Sequence, residues 1–191
     1  MKNAALFGLA TVLTAIMASC GNQQVAAPTE SAVFEGLKYS VGGQLVSTET
    51  VRQLEQQNGN LFYLASGTSP DSVIEVFTNR ADLESSKNNF VTTQGICIGR
   101  SKSSFWEEVG YAGETPLEVS KGSSRADLRN NFQPSGEDWD NDIEALKLAC
   151  NAWTYLYTSY NFSGSLLVLR GDAISDLTGW NNVISSIEVG N

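Results

Sequence analysis

Any chemistry in this chain has to be done without imidazole. None of the 191 residues is histidine, so neither a Ser-His-Asp or Cys-His nucleophile pair nor a His-containing zinc site can be assembled. Carboxylates and cysteines are the reactive side chains that remain. Glu107, Glu108 and Glu114 are close enough in sequence to surround one hairpin, and two carboxyl groups are the minimum equipment of glycoside hydrolysis. Three acids around a turn are more ordinarily a solvated face, and no enzymatic activity is expected. Cys97 and Cys150 lack the CxxC spacing of redox centres and metal ribbons. In a chain that leaves the cytoplasm such a pair reads as a structural disulfide, two buried free thiols being the alternative.

Export is written at the start of the chain. Lys2 precedes an apolar run from Ala4 to Ala18, which is too short to span a bilayer and reads, over residues 1–19, as a signal peptide. The run ends in Met17-Ala18-Ser19-Cys20-Gly21. This resembles the bacterial lipobox, with Met17 where the motif usually carries leucine, and implies that Cys20 is acylated after cleavage; ordinary secretion with an incidental Cys20 is the alternative. Multiple acyl chains would hold the protein at a membrane facing the periplasm or the cell exterior. Residues 20–32 are rich in Gln, Ala, Pro, Thr and Ser without apolar periodicity, the composition of a flexible tether, and folding is expected to begin near Val33.

Twelve basic residues stand against 21 acidic ones, a net charge of −9. That balance argues against nucleic acid as a partner and suits a cation or a basic protein surface. Residues 33–95 read as a small α+β region without recognisable chemistry. A helix is expected over residues 47–57 with Ser47 or Thr48 as N-cap, and a second over residues 80–87. Between them, Leu61 to Ala65 and Val73 to Phe77 flank a Gly-Thr-Ser-Pro-Asp-Ser turn and predict a hairpin. The region would be a cap on the following domain or an adaptor for an envelope protein partner.

From residue 97 onward the sequence repeats itself, over about 105–148 and 153–190. Trp106, Tyr111 and Gly113, then Asp127-Leu128, then Trp139 are followed by Asp140 to Ala145. The same order recurs as Tyr157, Phe162 and Gly164, then Asp176-Leu177, then Trp180, followed by Asn181 to Ser186. The copies differ by added loop residues, two between Gly113 and Asp127 and eight between Leu128 and Trp139. Alternating runs bounded by turn residues predict strands, with Leu167, Leu169, Ile187 and Val189 in the core. Each aromatic pair can pack over a bent hairpin whose glycine permits the fold-back.

An aromatic, four residues, an aromatic, one residue and a glycine, followed by Trp-Asn-Asn-x-x-Ser-Ser, resembles the paired Greek-key motifs of the βγ-crystallin superfamily. The resemblance covers Phe105 to Val189. It implies a mainly β chain: a double Greek-key β-sandwich over 97–191, preceded by the small α+β region. It also implies calcium, held between two loops that each contribute to both sites. In the second loop Asn182 and Ser185 would offer side-chain oxygens and Val183 a backbone carbonyl, with Asn181 stabilising the loop. The first loop keeps Asp140, Asn141 and Asp142 but carries Glu144 and Ala145 where the pattern has hydroxyls. The backbone carbonyls of Glu107 and Thr158 would complete the shells. The function so implied is a calcium-binding envelope lipoprotein with a structural or interaction role. A peptidase-inhibitor-like or toxin-like Greek-key binder and a metal-free structural crystallin fold are the alternatives.

Overall fold

In the computed structural model, residues 33, 37–66, 73–89, 99–171, 173–174 and 176–190 are described. The signal peptide, Cys20, the tether, Cys97 and the turn after Ser66 lie outside them. The N-terminal region supplies strands β1 (Lys38–Val41), β2 (Gln44–Val46), β3 (Phe62–Ser66) and β4 (Val73–Phe77), with helices α1 (Thr48–Asn58) and α2 (Arg80–Asn89). Both helices start where capping chemistry allows. Ser47 Oγ accepts from Thr50 N–H at 3.2 Å, and Asn79 Oδ1 accepts from Asp82 N–H at 2.9 Å while its amide donates back to Asp82. Helix α1 ends at Gly59, whose φ of 78° is inexpensive only for glycine and whose N–H reaches Glu55 C=O.

The repeat forms two interlocked Greek keys. The first is β5 (Lys102–Trp106), β6 (Leu117–Ser120), β7 (Ser123–Arg125) and β8 (Ala145–Lys147); the second is β9 (Trp153–Ser159), β10 (Ser163–Arg170), β11 (Ala173–Ile174) and β12 (Ser186–Gly190). Each key lends its third strand to the other's sheet. One sheet runs β11-β8-β5-β6, and the other contains β10-β9-β12-β7. Phe105, Val119, Leu146, Leu156, Leu167, Leu169, Ile187 and Val189 fill the space between the sheets, as strand alternation requires. At equivalent places in the two keys, Ser103 and Thr154 are both fully buried and share a hydrogen bond of 3.0 Å, so each hydroxyl satisfies the other.

The second sheet does not stop at four strands. β3 pairs with β10 in parallel register, Tyr63 opposite Leu167, and β4, β1 and β2 follow, giving eight strands in the order β2-β1-β4-β3-β10-β9-β12-β7. The α+β region therefore closes the edge of β10, whose N–H and C=O groups would otherwise be open. It also covers both faces. Tyr39, Tyr63 and Val51 of α1 join the core between the sheets, whereas Leu83 of α2 packs with Leu64, Trp153, Tyr155, Tyr157, Leu166 and Val168 on the far face. Lys87 lies against the rings of Trp153 and Tyr155 and donates to Tyr155 Oη at 2.6 Å. The double Greek-key sandwich expected from the repeat is thus built of one sheet of four strands and one of eight, the α+β region being part of the larger.

Candidate metal centre

Each Greek key begins with a bent hairpin whose aromatic pair meets edge to face. Trp106 and Tyr111 are 5.3 Å apart at 70°, Tyr157 and Phe162 5.7 Å apart at 65°. Tyr111 and Phe162 have positive φ, as do Gly113 and Gly164. The side chains of Glu107 and Thr158 hold the fold-back. Glu107 Oε1 accepts from Glu114 N–H at 2.8 Å and Thr158 Oγ1 from Ser165 N–H at 3.0 Å. Glu114 Oε2 in turn accepts from Ser135 N–H at 2.8 Å. Glu107 and Glu114 act as local backbone acceptors here.

The two loops following Trp139 and Trp180 lie against these hairpins and against each other. Glu144 N–H donates to Trp106 C=O and Ser185 N–H to Tyr157 C=O, both at 2.9 Å. Across the pseudo-two-fold, Asn141 N–H donates to Ile184 C=O at 3.0 Å and Asn182 N–H to Ile143 C=O at 3.3 Å. Asn141 and Asn182 both have φ of 58°, a left-handed conformation that asparagine tolerates far better than a branched or bulky residue.

Side-chain oxygens are consequently collected from both loops. Asn182 Nδ2 donates to Glu144 Oε1 at 2.9 Å, and Ser185 Oγ donates to Asn141 Oδ1 at 3.4 Å. One cluster, Glu144 with Asn182, contains a carboxylate; the other, Asn141 with Ser185, is neutral. Through the bonds of Glu144 N–H to Trp106 C=O and of Ser185 N–H to Tyr157 C=O, each loop is tied to the residue that directly precedes Glu107 or Thr158. Rotation of the Asn182 amide would turn Oδ1 toward Glu144, presenting hard oxygens of the kind calcium takes. Asp140 Oδ1 and Asn181 Oδ1, at the same position in the two loops, are buried and have no hydrogen-bond partner among the described residues. The donor chemistry fits a calcium-sized cation.

Other expected residues have different employment. Asp142 accepts from Gln133 Nε2, which ties the eight-residue insertion of the first copy to the ligand loop. Val183 buries its side chain in the core, so only its backbone carbonyl is suited to a metal. Asn181 Nδ2 donates to Asp176 Oδ1 at 3.1 Å, the atom that also accepts from Thr178 N–H at 2.6 Å; Asn181 stabilises its loop. Asp140 Oδ2 accepts from Tyr160 Oη at 2.7 Å, and this bond, with burial, raises the Tyr160 pKa above the usual phenol value. Arg129 stacks on Tyr160 at 3.6 Å and binds both Asp127 oxygens, holding that carboxyl below its ordinary pKa. Sequence reading did not single out Arg129, Gln133 or Tyr160; the Asp127 landmark pointed to the turn that Arg129 serves. Among the described residues no group of three or more His, Cys, Asp or Glu side chains is placed to hold a metal, so a site here would draw on amide, hydroxyl and backbone carbonyl oxygens besides the single carboxylate of Glu144. Cys150 is disulfide-bonded, while Cys97 and Cys20 fall outside the described residues.

No family model matches the chain, and no curated protein matches it. The solved structures similar to it are βγ-crystallin domains, aligned with about half of the chain. A βγ-crystallin domain from Flavobacterium johnsoniae is 26% identical, with 46% of this chain and 91% of that one covered, at a TM-score of 0.37. A βγ-crystallin from Ciona intestinalis is 20% identical over 46% and 96%, TM-score 0.37. A double mutant of a βγ-crystallin domain from Clostridium beijerinckii is 17% identical over 46% and 94%, TM-score 0.39. These neighbours belong to the superfamily that the repeat resembles.

Proposed function

We propose that the protein is an exported, lipid-anchored envelope protein that binds calcium between its two Greek-key loops and has no catalytic activity. The observation that carries the calcium reading is the reciprocal collection of Glu144 with Asn182 and of Asn141 with Ser185. Extracellular calcium modules have dissociation constants on the order of 10⁻⁴–10⁻³ M. At ~10⁻⁴ M and about 1 mM free calcium, linkage adds roughly 1.4 kcal/mol of stability per site, a rise of a few degrees in melting temperature. The sites should be unequal, the Glu144 cluster being the stronger because it alone brings a carboxylate. Calorimetric titration of the purified protein is expected to resolve two affinities. Glu144→Gln should weaken the tighter one and Ser185→Ala the looser one. Absence of calcium heat together with a melt unmoved at millimolar calcium would leave a metal-free structural domain, for which the existing hydrogen bonds between the loops suffice.

The anchor and the disulfide have separate tests. Cys20→Ser should move the protein from the membrane to the soluble fraction, and a mutant that stays membrane-bound would refute lipidation. The proposed partner of Cys150 is Cys97, which precedes the first key as Cys150 precedes the second. Closing about fifty residues contributes roughly 3–4 kcal/mol by loop entropy. Thiol labelling of the unreduced protein should leave both unlabelled; reactive Cys97 would refute the pairing.

A further inference from the structure

An aromatic contact joins the α+β region to the second ligand loop. Trp180 closes the 3-10 turn Thr178–Trp180 and immediately precedes Asn181-Asn182. Its ring meets Tyr63 of β3 edge to face at 5.3 Å and 77°, and both side chains are buried to within 1%. Behind Tyr63 stands Tyr39 of β1 at 6.4 Å.

Neither partner has much freedom. Tyr63 is held between Leu167 of β10 and Val76 of β4 by strand register. Bonds from Leu166 N–H to Leu61 C=O and from Leu61 N–H to Ser165 Oγ fix the approach of β3 to β10. On the other side, Trp180 N–H donates to Leu177 C=O and Asn181 N–H to Thr178 C=O, so the indole and the first loop residue share one tight turn. Asn182 then reaches Glu144. A displaced indole would carry the loop entrance with it. The Tyr63 hydroxyl makes no hydrogen bond among the described residues; what it contributes is the ring.

We propose that Tyr63 is a positioning residue for the calcium loops, so that the α+β region sets calcium affinity through the Tyr63–Trp180 contact. This rests on the calcium reading above. Coupling of this kind is reciprocal: calcium should also slow amide exchange in β3, which has no residue among the proposed ligands.

The test is calorimetric calcium titration of the purified wild-type protein, Tyr63→Phe, Tyr63→Ala and Leu83→Ala, with hydrogen exchange of the wild type with and without calcium. Tyr63→Phe should bind as wild type, because the ring is kept. Tyr63→Ala should weaken binding by about fivefold or more, the range of ordinary coupling energies. Leu83 is buried on the opposite face of the sheet, so Leu83→Ala should lower the melting temperature without altering affinity. Unchanged affinity in Tyr63→Ala, or an equal loss in Leu83→Ala, overturns the proposal. Should Tyr63→Ala not fold, exchange decides: β3 amides indifferent to calcium in the wild type overturn it equally. A wild type that binds no calcium overturns the calcium reading itself, and is thereby distinguished from failure of the coupling alone.

Discussion

A chain lacking residues 33–96 is expected to lose its cooperative thermal transition, even though both Greek keys would be present in full. The reason lies in what β3 and α2 cover. Removing β3 strips the parallel pairing from β10 over Leu166 to Arg170, and an open, apolar strand edge is a template for aggregation. Removing α2 uncovers Trp153, Tyr155, Tyr157, Leu166 and Val168, which share a cluster with Leu83 and Leu64. Removing Tyr63 and Tyr39 opens the side of Trp180. Fully burying one such side chain is worth roughly 1.5–3 kcal/mol. Partial exposure of several would therefore remove a free energy comparable with the whole stability of a domain, about 5–15 kcal/mol. Circular dichroism melts with light scattering check this. A truncated chain that melts cooperatively near the temperature of the intact protein would show that the two keys are self-sufficient. A practical consequence is that deleting the region is a poor way to ask whether it docks a partner; substitutions at its surface, such as the exposed Leu45, leave the sheet intact.

The second large effect is expected at Gly164. Its φ is +80°, and a Cβ there would lie 2.5 Å from Thr158 Oγ1 and 2.8 Å from Ser159 Oγ. A left-handed backbone costs a residue with a Cβ roughly 1–2 kcal/mol. The clash adds to this, because Thr158 is β-branched, stiff at χ1, and uses the same oxygen to accept from Ser165 N–H. Losing that bond costs about 1 kcal/mol. Gly164→Ala should therefore destabilise by roughly 2–4 kcal/mol, or about 5–15 °C in melting temperature at ~2–4 °C per kcal/mol. Gly113, the equivalent glycine, has φ of +89° and faces Glu107 Oε1 at 2.5 Å. Glu107 is long and only half-buried, so it can swing aside at the expense of its bond to Glu114. Gly113→Ala is expected to be the milder change in a parallel melt, and equal or greater damage at Gly113 would contradict the argument from side-chain stiffness.

Both glycines were readable in advance, and so was much around them. The aromatic-to-glycine spacing is local information, because a bent hairpin needs its aromatics, its left-handed residues and its glycine within eight positions. The helices of the N-terminal region were legible for the same reason: Ser47 caps α1, and Arg80 begins α2, where the side-chain pattern places them. Core positions such as Leu167 and Ile187 followed from strand alternation. The hairpin of β1 and β2 was missed, although Gly42-Gly43 between two short alternating runs is a turn signal; strands of four and three residues are too short for periodicity to mark.

Long-range pairing was not legible. Nothing in Phe62–Ser66 states that it will lie parallel to a strand about a hundred residues later, because backbone hydrogen bonds are indifferent to sequence and any half-buried strand offers the same donors and acceptors. Only the tertiary structure decided that the edge of β10 is occupied and that Tyr63 meets Trp180. The same holds for the site. The sequence by itself determined two loops of oxygen-bearing residues, one altered at Glu144 and Ala145. Which side chains face each other, Glu144 toward Asn182 and Asn141 toward Ser185, was set by the crossing of the two keys, since a loop's partner across a pseudo-two-fold is chosen by strand exchange rather than by its own residues.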